Sequence, residues 1–454
     1  MEGNTLSNYK VSLKEKAAFG VGDLAVNFVW SSICIFIVYF YTDVVGISAA
    51  VVGTLMLVSR VWDGVSDVIM GNIVDKTNTK YGKARPWILW LSVPFGISTV
   101  LLFAVPTDFS ETLKIIYILV TYNIMVIAFT GVVIPYGTLN TLITRDINER
   151  SSLNLYRMFF AQIGGIIVGY CTLPMSEMFG GDQFGWVCTY IIYSILGIML
   201  FMITFKYTRE RVGAVAKTTR NRVPFFTSLK TLTKNKYWII VCIFCLVFTI
   251  GKTCMMTSMV YFAKYIFNDP DLIGYLTIAN FVPLMLGLLI CGKIIKIIGK
   301  RNLAIIGSII ILTGSLLILV EEHNFAMVIL GTAIRGFGIS TMCAVFWTFF
   351  PDTIEYGEWK TGVRNEGVTY AAGSFGQKFG SGIAAAAVGW ILSYFNYGVE
   401  GMTNSADTKL AIEILFLYLP IAVSVIQVVL MYFYKLDKFY PQMMQELVQR
   451  NSIK

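Results

Sequence analysis

The sequence predicts an all-α polytopic membrane protein with about twelve transmembrane helices. Hydrophobic residues make up 56% of its 454 residues, charged residues make up 14%, and the mean hydropathy is +0.68. A soluble globular domain is more polar than this, whereas a chain that crosses a bilayer many times has such a composition. Apolar runs of about 18 to 28 residues, long enough to cross a bilayer, recur along the whole chain.

The spans are predicted from these apolar runs. A single long polar stretch, 206–236, lies between the first six predicted spans and the last six. We therefore expect a six-helix bundle (1–205), a cytoplasmic linker (206–236), a second six-helix bundle (237–440) and a cytoplasmic tail (441–454). The predicted spans are 17–41, 48–74, 86–105, 112–142, 153–176, 184–205, 237–263, 272–296, 302–320, 325–350, 366–395 and 409–434.

The basic residues predict the orientation of the chain. They concentrate in alternate loops, which accounts for the net charge of +9 without invoking nucleic acid. Lysine and arginine favour the cytoplasmic side of short loops, so both termini are expected in the cytoplasm and the protein in the cytoplasmic (inner) membrane. The first span is too long for a signal-peptide core, so no cleavable leader is expected.

Three charged residues lie inside the second predicted span. Arg60, Asp63 and Asp67 are spaced i, i+3 and i+7, so they share one helix face. Each charge costs a few kcal/mol or more at the centre of a bilayer, unless the face points into a bundle interior or a wet cavity. Two carboxylates four residues apart can bind a small cation or a proton. The alternative is a structural Arg–Asp ion pair between helices.

Other polar residues in the N-terminal half are candidates for the same cavity. Asp23 and Asn27 are four residues apart in the first span, where Asn27 could instead be an interhelical hydrogen-bond residue. Thr130, just before Pro135, can offer a neutral oxygen to a cation held by the aspartates. Arg157 suits sugar hydroxyls or a carboxylate, although it could instead be partnered to the Asp63 cluster.

The C-terminal half places basic residues near mid-membrane depth without an acid at similar depth. They are Lys252, Arg335 and Lys378. Excess positive charge in a low dielectric is unfavourable unless an anion enters, so these residues favour a negatively charged substrate. The alternative is that Lys252 or Arg335 is deprotonated, faces lipid or is paired to carbonyl groups.

A dense group of charges follows the tenth span on the cytoplasmic side. These charges are too dense for a plain turn and can pair with basic residues such as Arg145, Arg150 or Lys83 to close an inner gate; a solvated loop is the alternative. The candidate gating residues are Asp75, Arg85, Asp352, Glu355, Glu358 and Arg364.

The sequence does not favour an enzyme, and no cofactor is expected. Cys242 and Cys245 form a C-x-x-C pair inside an apolar span without a second pair, so packing is the better explanation. Gly251-Lys252-Thr253 resembles the end of a phosphate loop, but no strand precedes it and the first glycine is absent. The single histidine, His323, falls in an external loop.

A glycine-flanked basic loop follows the second span of each half, at Gly82-Lys83-Ala84-Arg85 and at Gly299-Lys300-Arg301. This repeat resembles the major facilitator superfamily. The resemblance implies two six-helix halves, related by an axis along the membrane normal, with a central site.

Several motifs together resemble the glycoside–pentoside–hexuronide:cation symporter family over nearly the whole chain, from Lys14 to about Tyr440. They are Tyr41-Thr42-Asp43-Val44-Val45-Gly46, Arg60-Val61-Trp62-Asp63-Gly64-Val65-Ser66-Asp67, Gly82-Lys83-Ala84-Arg85-Pro86 and Asp352-Thr353-Ile354-Glu355-Tyr356-Gly357-Glu358-Trp359.

The resemblance implies roles for individual residues. Asp63 and Asp67 match the family's cation carboxylates, Ser66 and Thr130 match further cation-site positions, and Arg157 and Lys378 match basic residues near the sugar and cation sites. The galactoside-transporting member of the family binds sugar through two aspartates, and those positions are Asn27 and Val133 here. Glucuronide-transporting members are similar to this chain at Asn27 and at Ile134-Pro135-Tyr136-Gly137, which favours an anionic glycoside.

The sequence therefore predicts a Na⁺- or H⁺-coupled sugar symporter that works by alternating access, as a monomer in the lipid bilayer. The predicted cation site is Asp63, Asp67, Ser66 and Thr130, with Na⁺ at the two aspartates as one option. The predicted substrate site is Asp23, Asn27, Arg157, Lys378, Lys252 and Arg335. Three alternatives stay open: a symporter of neutral glycosides or pentosides, a transporter of amphipathic lipids on the same fold, and a membrane sensor that transports nothing.

Overall fold

The computed structural model describes residues 10–212, 232–362, 366–398 and 405–452, and almost all of them are helical. The helices are α1 (Leu13–Ile35), α2 (Ala49–Lys76), α3 (Arg85–Phe103), α4 (Glu111–Ile143), α5 (Ile147–Met178), α6 (Gln183–Tyr207), α7 (Lys236–Ile266), α8 (Leu272–Ile298), α9 (Lys300–Val320), α10 (Phe325–Phe346), α11 (Phe349–Thr361), α12 (Glu366–Tyr394), α13 (Ala406–Glu413, continued by Ile414–Tyr418 and Leu419–Phe433) and α14 (Leu436–Ser452).

Eleven helical stretches in the described ranges are long and apolar enough to cross a membrane. They coincide with eleven of the twelve predicted spans. The twelfth prediction, 366–395, coincides with α12, a helix of 29 residues. The all-helical polytopic class predicted from composition is therefore confirmed.

The first helix begins earlier than hydropathy alone predicts. The Ser12 side chain accepts a hydrogen bond from the backbone N–H of Glu15 at 3.2 Å, which caps α1 at Leu13 rather than at residue 17. Regular helix ends at Ile35, and the chain continues through a short turn, Ile37–Tyr39, into a π-helical turn, Phe40–Val44.

Two segments that lie outside the predicted spans are helical. The charged segment after the tenth span forms α11, which ends at Gly362 with φ of 73°. Glycine adopts this left-handed conformation without steric cost. Most of the predicted tail belongs to α14, which starts at Leu436, before the predicted boundary at 441.

The chain forms two compact units, and each is described by itself. The first comprises residues 1–217, 259–278 and 388–408, and the second comprises 218–258, 279–387 and 409–454. In the first unit α1 packs against α5 and α6, α3 packs against α4 and α6, and α2 packs against α4. In the second unit α9 packs against α10 and α13. Most of the predicted linker, residues 213–231, lies outside the described residues, and the boundaries of the two predicted bundles remain a prediction.

Candidate functional site

The structure brings the four predicted cation-site residues together where α2 packs against α4. The Thr130 hydroxyl lies 3.2 Å from Asp67 Oδ1 and 3.4 Å from Asp63 Oδ1. The Ser66 hydroxyl lies 3.1 Å from the Thr130 hydroxyl and donates to the backbone carbonyl of Asp63 at 2.8 Å. Asp63, Ser66 and Thr130 are buried and Asp67 is half-buried. We call these four residues the cation cluster.

The cation cluster offers oxygen atoms, the ligands that hard cations such as Na⁺ prefer. A threonine hydroxyl carries one proton, so Thr130 can donate to only one of the two carboxylates at a time. No group of three or more His, Cys, Asp and Glu residues within the described residues could hold a metal ion. A cation here would be bound by two carboxylates and neutral hydroxyl oxygens.

Arg60 completes the charged face of α2. Its Nη1 lies 3.1 Å from Asp63 Oδ2 and its guanidinium lies over the Trp30 ring at 4.9 Å from the centroid. Asp63 thus contacts Arg60 through one oxygen and Thr130 through the other. This ion pair lies within α2, not between helices as the structural alternative supposed, and it leaves the second oxygen of Asp63 beside Thr130.

Three predicted substrate residues lie on α1 and α5, also in the first unit. Arg157 Nε forms an ion pair with Asp23 Oδ2 at 3.1 Å, and its guanidinium lies 5.1 Å from the Tyr136 ring centroid. Arg157 is therefore partnered by Asp23, and the alternative that it partners the Asp63 cluster is wrong. Asn27 donates to the carbonyl of Asp23 in its own helix at 2.8 Å. Gly164 of α5 allows α1 and α5 to approach each other closely at Asn27, because a Cβ added to Gly164 would lie 2.9 Å from Asn27 Cβ.

The other three predicted substrate residues belong to the second unit. Arg335 is fully buried; its Nε donates to Ser315 Oγ at 2.9 Å, and its Nη1 and Nη2 have no hydrogen-bond partner within the described residues. Lys252 lines a small cavity of about 20 Å³ together with Gln427. Lys378 is half-buried on α12.

The candidate gating residues on α11 have partners within the second unit. Asp352 Oδ2 forms an ion pair with Lys300 Nζ at 2.6 Å, beside a cavity of about 450 Å³. The Glu355 carboxylate accepts a hydrogen bond from the Tyr440 hydroxyl. The Glu358 carbonyl accepts one from Arg450 Nη2 at 2.9 Å. The partner observed for Asp352 is therefore Lys300, not Arg145, Arg150 or Lys83.

The remaining candidate gating residues lie elsewhere. Asp75 is exposed at the end of α2. Arg85 donates to the Phe205 carbonyl at 2.6 Å. Arg364 lies outside the described residues.

A carboxylate that the sequence did not single out anchors the loop before α3. The Glu210 side chain accepts hydrogen bonds from the backbone N–H groups of Lys83, Ala84 and Arg85 at 2.8 to 2.9 Å. These groups form the start of α3, where a negative charge is favourable. Gly82 has a φ of 107°, and a Cβ there would overlap the Glu210 carboxylate, so the loop needs glycine at this position.

A second buried carboxylate, Asp43, is the centre of a larger network in the first unit. Asp43 Oδ1 accepts hydrogen bonds from Lys264 Nζ and the Tyr265 hydroxyl, both at 2.7 Å. Asp43 Oδ2 accepts hydrogen bonds from the hydroxyls of Thr42 and Tyr397, also at 2.7 Å. We call these five residues the Asp43 network. Asp43 appears in a motif of the resemblance, but neither spacing nor composition predicted its partners.

The network extends through further hydroxyl groups. The Tyr261 hydroxyl lies 2.9 Å from Thr42 Oγ1, and Lys264 also donates to the Tyr39 hydroxyl at 3.1 Å. Tyr397 lies beyond the end of α12. Burial raises its pKa well above the usual tyrosine value, and the negative charge of Asp43 raises it further. The phenol therefore stays protonated and remains a donor to Asp43.

Comparisons with known proteins place the whole chain among sugar transporters. A family profile described as "MFS/sugar transport protein" matches residues 18–438. The isoprimeverose transporter of Lactiplantibacillus pentosus is 33% identical over 97% of this chain and 92% of its own. The glucuronide carrier protein homolog of Escherichia coli (strain K12) is 30% identical over 98% of both chains. The inner membrane symporter YicJ of the same strain is 31% identical over 89% of this chain and 88% of its own.

Solved structures agree with the fold. The crystal structure of a mutant of the nucleoside transporter NupG superimposes with a TM-score of 0.66 at 16% identity, over 92% of this chain and 100% of that one. A bacterial homologue of the human drug peptide transporters PepT1 and PepT2 gives a TM-score of 0.65 at 14% identity, over 95% and 99% of the two chains. At these identities the likeness concerns the fold alone, and it agrees with the superfamily that the family profile shows.

Proposed function

Since the chain belongs to the MFS/sugar transport protein family, and is thus a multi-pass membrane transporter rather than an enzyme, we propose that it couples glycoside uptake to a cation. The resemblance to the glycoside–pentoside–hexuronide:cation symporter family is confirmed by the profile and by relatives named as symporters. The proposal adds the residues that bind the cation, the class of glycoside, and an orientation with both termini in the cytoplasm.

One observation carries the coupling proposal: the Thr130 hydroxyl lies within 3.4 Å of a carboxylate oxygen of both Asp63 and Asp67. A hydroxyl between two carboxylates brings three oxygen-bearing side chains to one point, and Ser66 adds a fourth. Two like charges this close repel each other unless a proton or a cation lies between them. Na⁺ or H⁺ would supply that positive charge.

The charges on α2 suggest how binding drives transport. The face carries one guanidinium and two carboxylates, so one monovalent cation makes the face neutral. A neutral face loses less solvation energy when it enters a dry helix interface. The carrier loaded with cation and sugar therefore closes around its site more readily than a carrier without the cation, and this difference couples the two fluxes.

The substrate we favour is an anionic glycoside such as a glucuronide. The support is Arg335, a fully buried arginine whose two terminal nitrogens have no hydrogen-bond partner within the described residues. A buried, unsatisfied guanidinium is unfavourable, and a carboxylate can bind it through two hydrogen bonds. Lys252 and Lys378 add positive charge in the same unit.

A neutral glycoside or pentoside is the second candidate, favoured by a different observation. Arg157, expected to face the sugar, is already neutralised by Asp23 at 3.1 Å. An ion pair of this kind presents both donors and acceptors, which suits sugar hydroxyls without requiring a charge on the sugar.

A panel of labelled sugars tests the proposal in proteoliposomes. The panel contains β-glucuronides, galacturonides, neutral disaccharides and pentosides, each with an inward Na⁺ gradient, an inward proton gradient, or neither. We expect accumulation of one glycoside class above equilibrium with one of the two gradients. An anionic substrate predicts competition by glucuronides but not by the matched neutral glucosides.

Three results would reject the proposal. Equal uptake of the transported sugar with and without both gradients would remove cation coupling. Transport of lysolipids, with no competition by any sugar, would assign the fold to amphipathic lipids instead. Absence of flux for the sugars and the lipids alike would favour a sensor that transports nothing.

A further inference from the structure

The Asp43 network joins segments that are far apart in the sequence. Asp43 follows α1, whereas Lys264 and Tyr265 lie near the end of α7 and Tyr397 follows α12. The sequence separations are 221, 222 and 354 residues. In the orientation predicted from the basic loops, all three segments lie on the outer side of the membrane. One carboxylate therefore ties three helix ends together at the outer surface.

Close backbone packing occurs at the same end of the first unit. A Cβ added to Gly389 of α12 would overlap the carbonyl oxygen of Ala49 at the start of α2. Similarly, a Cβ on Gly169 of α5 would overlap the Thr277 side chain of α8. Helices from before and after the 206–236 stretch thus contact each other directly at the outer end, with no space for even a methyl group.

We propose that Asp43 is the latch of an outer gate. Its carboxylate holds the ends of α1, α7 and α12 together while the outer entrance is closed, and Lys264, Tyr265 and Tyr397 must leave it before substrate can enter from outside. The inference rests on the proposed function, because only a carrier with alternating access needs such a gate.

The chemistry of the network suits reversible closure. All four hydrogen bonds to Asp43 come from Lys, Tyr and Thr side chains, which water can replace when the end opens. The Lys264 side chain is already 31% exposed, whereas that of Asp43 is 5% exposed. Opening would therefore hydrate a carboxylate that is buried in the closed state, beside a lysine that water already reaches.

Stability alone gives little reason to keep this arrangement. A buried ion pair contributes little or no more than well-packed apolar residues of similar volume. Removing one partner, however, is strongly unfavourable, because the other charge is left buried and unpaired. A network of this kind makes the closed arrangement specific while still allowing it to open as a unit.

The local backbone offers a place for the movement. Asp43 lies in the π-helical turn Phe40–Val44, which follows the interruption of α1 at Phe36. Such irregular turns are places where helices bend and are frequent at functional positions. Gly46, with φ of 81° and no atom within 4 Å of an added Cβ, follows this turn.

Pulsed electron spin resonance distances test the latch in proteoliposomes without sugar. The eight native cysteines are replaced, and spin labels are attached at Met178→Cys and Tyr394→Cys. These positions end α5 and α12 and are 81% and 82% exposed, so the labels displace little packing. We expect Asp43→Asn to increase the ratio of the long to the short distance about tenfold, since hydrogen bonds to a charged group are lost.

Asp108→Asn is the matched control. It makes the same change on an exposed acid of the outer loop between α3 and α4, and it should leave the distance distribution unchanged. A shift in Asp43→Asn that is no larger than the shift in Asp108→Asn overturns the proposal.

Milder variants keep the test decisive if Asp43→Asn is not recovered folded. Tyr265→Phe and Tyr397→Phe each remove one hydroxyl and should each shift the ratio about threefold, in the same direction. If both proteins fold and neither changes the distribution, the latch does not exist.

The latch and the proposed function fail in different ways. The distances require neither sugar nor cation, whereas the uptake panel requires both. Cation-driven uptake together with unchanged distances rejects the latch and leaves the function standing. A shifted distribution of spin-label distances in a protein that transports none of the sugars supports the gate and rejects the proposed substrate.

Discussion

The first unit contains two buried clusters built around aspartate side chains, and the partners of the aspartates differ between the two. In the cation cluster, the carboxylates of Asp63 and Asp67 both lie within 3.4 Å of the Thr130 hydroxyl, and Asp63 also contacts Arg60. In the Asp43 network, a single carboxylate receives an ammonium group and three hydroxyl donors. The two carboxylates of the cation cluster, beside one guanidinium, carry a net negative charge that an arriving cation balances, whereas the single carboxylate of the Asp43 network, beside one ammonium group, is already balanced.

The difference fits the two tasks that we propose for the clusters, ion binding and closure of the outer entrance. An ion-binding site needs a net charge that only the ion neutralises. Closure of an entrance needs charged and polar groups that neutralise each other without a bound ion. Equivalent substitutions in the two clusters test whether their roles differ. The following predictions run from the largest expected effect to the smallest.

The largest effect should follow loss of a carboxylate in the cation cluster. Asp63→Asn and Asp67→Asn should each lower cation-driven accumulation about 100-fold or more, because a buried ionic contact to the ion is lost. Initial rates of uphill uptake and of exchange of internal for external sugar are measured side by side. Exchange needs no net movement of the coupling charge and should survive better. Undiminished accumulation in both variants would show that the ion binds elsewhere.

A smaller effect should follow removal of the neutral oxygen. Thr130→Val keeps the shape but loses the hydroxyl, and should weaken the apparent affinity for the coupling cation about tenfold, since one ligand to a charge is worth roughly 1.5 to 3 kcal/mol. Uptake is measured as a function of cation concentration at saturating sugar.

Thr121→Val provides the control for that change. Thr121 is also buried in α4, but its hydroxyl donates to the Tyr117 carbonyl of its own helix at 2.8 Å. Its cation affinity should equal that of the native protein. Equal losses in the two variants would mean that Thr130 acts through helix stability rather than through the ion.

Removal of the basic partner should have different consequences in the two clusters. Arg60→Gln removes a positive charge beside Asp63 and should tighten cation binding about fivefold, because an opposing charge is gone. Lys264→Gln should leave cation affinity within about twofold and instead favour the open outer end, as judged by the spin-label distances. A change of cation affinity in Lys264→Gln similar to that in Arg60→Gln would contradict the division of tasks.

The smallest effect is expected at an exposed outer contact. Trp390 Nε1 donates to Thr54 Oγ1 at 3.1 Å in an exposed position. Trp390→Phe should change the spin-label ratio less than about twofold, since water replaces an exposed hydrogen bond at little cost. A shift as large as that of Asp43→Asn would move the latch from Asp43 to this contact.

Local periodicity accounts for what the sequence predicted well. A helix of about 3.6 residues per turn puts Arg60, Asp63 and Asp67 on one face whatever surrounds them, so their grouping followed from spacing. Thr130 joined the cluster as expected, through a motif of the family and its position before Pro135. The spans could be predicted equally directly from hydropathy. Backbone polar groups in lipid must form hydrogen bonds within the protein, so a long apolar segment that crosses the bilayer is helical.

Long-range partners account for what the sequence missed. Nothing in the spacing of Asp43 and Tyr397 indicates a contact, because 354 residues separate them. Glu210 and the loop before α3 are likewise 125 to 127 residues apart. The start of α1 was predicted wrongly for a different reason. Ser12-Leu13-Lys14-Glu15 is a helix-capping pattern, and hydropathy does not detect such a pattern. The amphipathic α14 was missed for the same reason, since its mean polarity resembles that of a tail.

The grip of Glu210 on the start of α3 has a mechanical consequence. The segment that leaves α6 is fastened to the basic loop between α2 and α3 by three backbone hydrogen bonds. The tether from the first six predicted spans to the last six therefore has its effective origin near residue 210 rather than at the end of α6. Glu210→Ala would lengthen that tether by a few residues, without changing the length of the polypeptide.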